Sequence, residues 1–327
     1  MLMKRSAMRA AFLVSVLALA ATAGSAAGAN RPSHATANNA TKTVGIVDLV
    51  QSDPLNVEVI KGVQDAAKAK GWKVLVYDAN GNADAANAAF KRYASQKVDM
   101  ILDLAFPVTS VRAGIQAAKA AGIPVGGWGS GLTSGVLMTT VDDVGLPSAN
   151  AVLKAVGGPS GKGAVLALFY TGGNVCRERQ AVFVKTMKKA PGVKVQIQDL
   201  TLPGEQTEGT NYTNAWLAQH PKGSGNLAVW GCWDSPMYGA VASLRQQNRS
   251  DVKAFSINGS PQAIQLVKTG NLYHELWENG YQEGVVAFNT TLKGMSAGSA
   301  WKPPVLAVPG IAVTKANVDA FIAAKHK

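Results

Sequence analysis

A repeating rhythm constrains this chain more than any other feature. From Thr43 onward, short β-branched runs alternate with alanine-rich amphipathic stretches. Residues 43–48 (TVGIVD) have strand character. Residues 55–70 set Val59, Val63, Ala66 and Ala67 at helical spacing, and Gly71 stands where helices commonly end. Further strands are expected at 73–78, 98–103 and 123–127, and further helices at 83–96 and 108–121. Such a succession folds with parallel strands covered by helices on both faces.

The rhythm then restarts. Strands are expected at 163–169, 193–200, 227–230 and 252–257, with helices at 177–189, 210–219, 236–247 and 261–269. Two α/β units, about 43–142 and 146–277, match in length and pattern, which implies two similar lobes instead of one large sheet. The remainder offers a helix at 281–293, a Pro-rich stretch at 301–309 and a short helix at 315–324. That is too little for a third domain, so it adds elements to the two lobes.

Ahead of the first strand, Lys4, Arg5 and Arg9 precede an apolar run at 10–23 and a small-residue site, Ala27-Gly28-Ala29. Residues 1–29 therefore read as a cleavable signal peptide and 30–42 as a flexible polar tail. No cysteine lies near the cleavage site, so no lipid anchor is expected. Export without an anchor points to a periplasm. The formal charge is +12, and three of those charges sit in the signal segment. The other basic residues are dispersed over helices, and no recognition helix precedes the first unit. Nucleic-acid binding is therefore disfavoured.

Enzyme signals are weak. The chain has no Gly-x-Gly-x-x-Gly loop, and its Gly-x-Ser-x-Gly string, GMSAG at 294–298, follows the expected helix at 281–293 and not a strand, so it is no nucleophile elbow. Residues 157–163 (GGPSGKG) have the wrong spacing for a phosphate loop and precede a strand, so they read as a turn. Four scattered histidines suggest no metal, and no cofactor is implied.

In open parallel sheets ligands sit beyond the carboxyl ends of the strands. Those ends carry Asp48, Asp53, Asn56, Asp103, Phe106, Trp128, Tyr170, Trp233, Asp234, Asn258 and Glu278. Aromatic faces suit the C–H faces of sugars, and carboxylates and amides suit hydroxyls. Cys176 and Cys232 also lie at adjacent strand ends. In an oxidising compartment they form either a disulfide closing a 56-residue interval or two buried thiols.

Several segments resemble the type I periplasmic sugar-binding proteins, close to the ribose-binding group that feeds ABC importers. These are TVGIVDLVQSDPLN (43–56), KGVQDAAKAKGWKVLVYDANGNADAANAAF (61–90), AAKAAGIPV (117–125), CRERQAVF (176–183), WDSPMYGAVASLRQQ (233–247), AFSINGSPQAIQLVKTGNL (254–272) and YQEGVVAFNTTLKG (281–294). The resemblance spans about 43–325. It implies two Rossmann-like lobes with parallel sheets, joined by three crossover hinges near 142–145, 275–279 and 305–309. The lobes would be 43–142 with 279–305, and 143–278 with 306–327.

The resemblance also implies a site. The family's helical arginine falls on Arg179, its polar first-loop residue on Asp53, its last-strand aspartate on Asn258 and its crossover glutamine close to Glu278. The usual first-loop aromatics are replaced by Leu55 and Asn56, and Trp128 and Trp233 take positions where stacking can move. The ligand would be a sugar or polyol, with a pentose, hexose or furanose-like form open. On this view Arg179→Ala removes binding and leaves the fold intact. The implied partners are an inner-membrane ABC permease and its ATPase. The protein would be a monomer without enzymatic activity. A sensory role, presenting the ligand to a chemoreceptor or sensor kinase, is the alternative.

Overall fold

The computed structural model describes residues 41–141 and 143–325. The expected signal peptide and nearly all of the expected tail lie outside them. The described chain runs β1 Thr43–Asp48, α1 Pro54–Lys68, β2 Lys73–Asp78, α2 Ala83–Ser95, β3 Met100–Leu104, α3 Arg112–Ala120, β4 Val125–Trp128 and β5 Val136–Thr140. It continues with α4 Gly145–Ala155, β6 Gly163–Phe169, α5 Asn174–Met187, β7 Val193–Asp199, α6 Glu205–Gln219, β8 Asn226–Gly231, α7 Asp234–Gln246, β9 Val252–Asn258, α8 Pro261–Lys268 and β10 His274–Trp277. It ends with α9 Gly280–Ala297, β11 Val305–Leu306, β12 Ile311–Thr314 and α10 Val318–Lys325.

These strands form two sheets, ordered β11-β5-β4-β3-β1-β2 and β12-β10-β9-β8-β6-β7. Pairing is parallel throughout except that β12 runs antiparallel to β10. The fold is α/β, with two Rossmann-like lobes. Central strands are buried along almost their whole length, as the largely apolar runs MILDL and GAVLALF require, whereas the edge strand β2 alternates half-buried and exposed residues.

In each sheet the strand order reverses once near its middle. β1 lies between β2 and β3, and β6 lies between β7 and β8. The loops after β1 and β3 therefore depart to opposite faces and leave a crevice, and the loops after β6 and β8 do the same.

Helix α9 packs on α1, β4 and β5, so the chain returns to the first sheet after completing most of the second. The α1–α9 contact needs glycine on both sides. A Cβ at Gly62 would meet the Tyr281 carbonyl, and one at Gly284 would meet the Val59 carbonyl. The backbones touch there, with no room for a methyl group.

Element boundaries differ from the sequence expectation in specific ways. β5 and α4 were not anticipated: VLMTT is a short run, and Gly145 and Pro147 obscure a helix start where proline is tolerated. α5 begins at Asn174, three residues before the expected 177, because Gly173 in an extended conformation starts it. α9 extends to Ala297, beyond the expected 293.

The chain passes between the sheets at three places, and two need correction. The segment expected at 275–279 is mostly strand β10, so the passage is confined to 278–279. The segment expected at 305–309 starts with β11 on the first sheet, so the passage is 307–310, where β12 then joins the second. The remaining passage leaves β5 after Thr140 and reaches α4 at Gly145; α4 packs on α5 and on strands of the second sheet.

Candidate functional site

The carboxyl ends of the two sheets face one another across a cavity of about 50 Å³. It is lined from the first sheet by the loop after β1, by Ala105 and by Trp128, and from the second by Tyr170, Arg179, Trp233 and Asn258 among others.

The first-lobe wall is set by a helix start. β1 ends at Asp48, and Pro54 occupies the first helical turn of α1, where its missing N–H costs nothing. Asp53 caps that helix and accepts from the Leu55 N–H at 2.8 Å. Asn56, one turn in, donates to Asp48 at 2.7 Å. Burial, with smaller contributions from Asp78 and Asp53, pushes Asp48 up to about 7 against the Asn56 hydrogen bond. Burial and the Asp234 charge push Asp53 up to about 6, opposed by the Leu55 N–H and by Arg179.

The second-lobe wall is organised by Arg179 on α5, which is 1% exposed. Its Nη1 donates to the Cys232 carbonyl at 2.7 Å and to Asn258 Oδ1 at 2.8 Å, and its Nη2 donates to Glu278. One guanidinium therefore ties the end of β8, the end of β9 and the passage at 278–279. Asn258 has φ 118°, a region that L-residues rarely adopt, and Gly259 follows at φ 75°. This bend turns the Asn258 amide into the cleft, where it donates to Asp53 of the first lobe at 3.3 Å.

A second bridge crosses the cleft. The Asn174 N–H donates to the Ala105 carbonyl and its side-chain amide to the Gly129 carbonyl, each at 2.8 Å. The lobes are thus bonded to each other on two sides of the cavity.

Aromatic rings complete the lining. Tyr170 and Trp233 meet at 5.7 Å between centroids in a tilted pair. Trp128 donates its indole N–H to Glu283 on α9 at 2.6 Å, which fixes its ring. Burial, with Asp199 adding, pushes the Tyr170 hydroxyl up to about 12, so it stays a neutral donor. Trp230 lies elsewhere, stacked on Phe183 at 4.4 Å within the core.

Of the residues chosen from sequence, Asp53, Asn56, Trp128, Tyr170, Arg179, Trp233 and Asn258 line the cavity, and Asp103, Phe106, Asp234 and Glu278 do not. Asp103 lies within β3 and is sealed by Ser130 and the following loop. Its carboxylate makes no hydrogen bond of ordinary geometry among the described residues, and burial raises its pKa well above the usual range. Phe106 is core. Glu278 stands behind Arg179. Asp234 accepts from Ser256 Oγ at 2.6 Å and from the Ser260 N–H at 2.9 Å, so it supports the Asn258 loop.

Sequence reasoning missed Leu49, Val50, Ala105, Gly173, Val175 and Leu202 on the wall. Gly172-Gly173 ahead of an amphipathic run was a usable sign that α5 starts at the cleft; small apolar loop residues carry no such mark. Cys176 and Cys232 form a disulfide, with Cα atoms 5.5 Å apart, and Cys176 lines the cavity beside Arg179. Among the described residues no cluster of metal-ligating side chains occurs, and no helix is long and apolar enough to cross a membrane.

Two open sheets facing each other around a cavity of aromatic rings, amides and one arginine define a two-lobed receptor for a small molecule. The chain belongs to the periplasmic binding proteins: the family model described as a periplasmic binding protein domain matches residues 44–296. The family consists of solute-binding proteins, not enzymes. The chain is similar to the xylitol-binding protein of Mycolicibacterium smegmatis, 26% identical over 295 residues, which is 88% of this chain and 81% of the relative. It is similar to the ribose import binding protein of Bacillus subtilis, 23% identical over 70% of this chain and 74% of the relative. Among solved structures, an ABC transporter solute-binding protein from Agrobacterium vitis with bound allitol superposes with a TM-score of 0.79 at 23% identity, covering 87% of this chain and 99% of that one.

Proposed function

We propose that this chain is the exported solute-binding component of an ABC importer, taking a sugar or polyol in the interlobe cleft and delivering it to an inner-membrane permease. The observation that carries this reading is the hydrogen-bonded series Arg179–Asn258–Asp53, which lines the cavity and joins both lobes. A ligand hydroxyl entering there meets donors from Arg179 and Asn258 and acceptors from Asp53. Trp128, Tyr170 and Trp233 offer faces to its carbon skeleton. Neutral polyhydroxylated ligands match this mixture, and buried polar groups of this kind reject ligands that leave them without a partner.

The passages at 278–279 and 307–310, with the one after β5, are the hinges in this reading. The ligand would favour closure only through contacts made better in the closed state. The relatives named for xylitol and ribose, and the neighbour holding allitol, support a sugar or polyol as the ligand class. The amino-terminal signal peptide and a periplasmic location complete the proposal.

A thermal-shift panel of xylitol, allitol, ribose, other pentoses, hexoses and myo-inositol tests it. A ligand present at 100 times its dissociation constant adds about 2.7 kcal/mol of stability. No shift from any member, or chemical turnover of one, would overturn the reading.

A further inference from the structure

The loop that aims Asn258 into the cleft is held from behind by two buried carboxyl groups. Glu275 Oε1 accepts from the Gly259 N–H at 2.8 Å, and Asp234 Oδ2 accepts from the Ser260 N–H at 2.9 Å. Consecutive amides after Asn258 are thus gripped by different carboxyls. Glu275 is 0% and Asp234 1% exposed. Asp234 Oδ1 takes the Ser256 hydroxyl, whereas Glu275 Oε2 finds no donor among the described residues. Besides Gly259, the polar neighbours of Glu275 are the Asp234 carboxyl and the Ser256 hydroxyl, and that hydroxyl is already given to Asp234 Oδ1 at 2.6 Å.

Two carboxylates cannot hydrogen-bond to each other without a proton between them, and two adjacent buried charges repel strongly. The groups facing the pair are few. Tyr238 on α7 donates to or accepts from Ser260 Oγ at 2.5 Å, and Asp53 approaches from the first lobe. β12 brings no charged side chain, and α4 and α8 bring only Lys154 and Lys268, each in the last turn of its helix. Arg179 reaches Asn258 on the same loop but is paired with Glu278, and α7, β9 and β10 add Arg245, Lys253 and His274; none of these cations or imidazoles bonds Glu275.

We infer that Glu275 is a protonated acid at neutral pH, sharing its proton with Asp234, and that this pair is a positioning device that holds Asn258 in its strained, cleft-facing conformation. Glu275 offers one oxygen to Gly259 and its hydroxyl to Asp234, and Asp234 keeps its charge for Ser256 and Ser260. Burial, followed by the Asp234 charge, raises Glu275 well above the ordinary range, in agreement with this geometry. Loss of the proton at alkaline pH sets two carboxylates against each other beneath the loop and loosens Asn258 from Arg179 and Asp53. The consequence for ligand capture rests on the cleft being the binding site; the proton assignment does not.

The test therefore uses the ligand-free full chain. An infrared difference spectrum between wild type and Glu275→Gln at pH 7 should contain a protonated-carboxyl stretch present only in the wild type. Hydrogen exchange at the Gly259 and Ser260 amides should speed up with rising pH beyond the intrinsic base-catalysed rate in wild type. In Glu275→Gln, which keeps a neutral donor, the amides should stay protected and follow only the intrinsic rate. Glu275→Ala, if it folds, should lose at least about tenfold of that protection. Absence of the carboxyl signal, or an identical pH profile in wild type and Glu275→Gln, would overturn the inference.

Discussion

Asn258 of the second lobe donates to Asp53 of the first across the cleft, with Nδ2 3.3 Å from Oδ1 and 3.4 Å from Oδ2. The same amide group accepts from Arg179, so one side chain connects the ligand-facing arginine to the opposite lobe. Asn258→Gly removes the amide and accepts the unusual φ, which isolates the side chain from the backbone. The expected outcome is a larger radius of gyration by small-angle scattering in the ligand-free protein. Affinity for the sugar or polyol selected by the panel should fall by about 1–3 kcal/mol. Unchanged scattering and unchanged affinity would show that the bridge does not hold the closed state.

Arg179 is a more severe position than its family assignment alone implies. Because the side chain is buried and paired with Glu278, Arg179→Ala strips a buried carboxylate of that cation as well as removing a ligand donor. Breaking such a pair from one side costs about 3–5 kcal/mol. Chemical denaturation should therefore show a large loss of stability together with loss of binding. The double variant Arg179→Met, Glu278→Gln should recover much of the stability and none of the binding. Equal destabilisation in single and double variants would separate the arginine's structural role from Glu278.

How far the sequence went is clearest at these positions. The β-α rhythm made both sheets legible because buried parallel strands must be continuously apolar, and the reversal of strand order then located the cleft. Asp53 and Asn258 stood out as polar residues beyond strand ends, whereas Arg179 was reached only through the family resemblance, because a helical arginine carries no mark of its own. Asp103 and Asp234 met the same criterion and lie behind the wall, since a strand-end carboxylate can face a loop as readily as a ligand. Leu202 reaches the cavity through a loop path that no periodicity encodes, and Val175 from the first turn of α5, ahead of the expected helix start. β10 and β12 were hidden for a related reason: HELW and IAVT are too short to carry a period, and tertiary pairing makes them strands.

The Cys176–Cys232 disulfide joins the first turn of α5 to the residue whose carbonyl receives Arg179. Closing a loop with a sequence separation of 56 stabilises the fold by about 4 kcal/mol on the chain-entropy model. The double variant Cys176→Ser, Cys232→Ser should unfold at a markedly lower denaturant concentration, and reductant should have the same effect on the wild type. Ligand affinity should also fall, because the Cys232 carbonyl loses its tether. A reductant-insensitive midpoint in the wild type would contradict the bridge.

Stability should depend on pH through two opposing kinds of buried group. Asp48 keeps its proton in the folded chain up to about 7, while in the unfolded chain it releases it near its ordinary value of 3.8. Between those values the unfolded state binds fewer protons, so Asp48 makes stability fall as pH rises, by about 1.4 kcal/mol per pH unit. Asp53 acts in the same direction up to about 6. His274 acts oppositely. Burial lowers it from 6.5 to about 4, so the unfolded state takes up a proton in that window and stability falls as pH drops through it. Denaturation midpoints measured from pH 4 to 7 should separate the two. Asp48→Asn preserves the acceptor for Asn56 and should make the profile less negative by that slope. His274→Phe, which can keep the ring contact with Phe255, should make it more negative between pH 4 and 6.5. If either substitution leaves the slope unchanged, that residue titrates in the folded chain as it does in the unfolded one, and its burial has no hold on its proton.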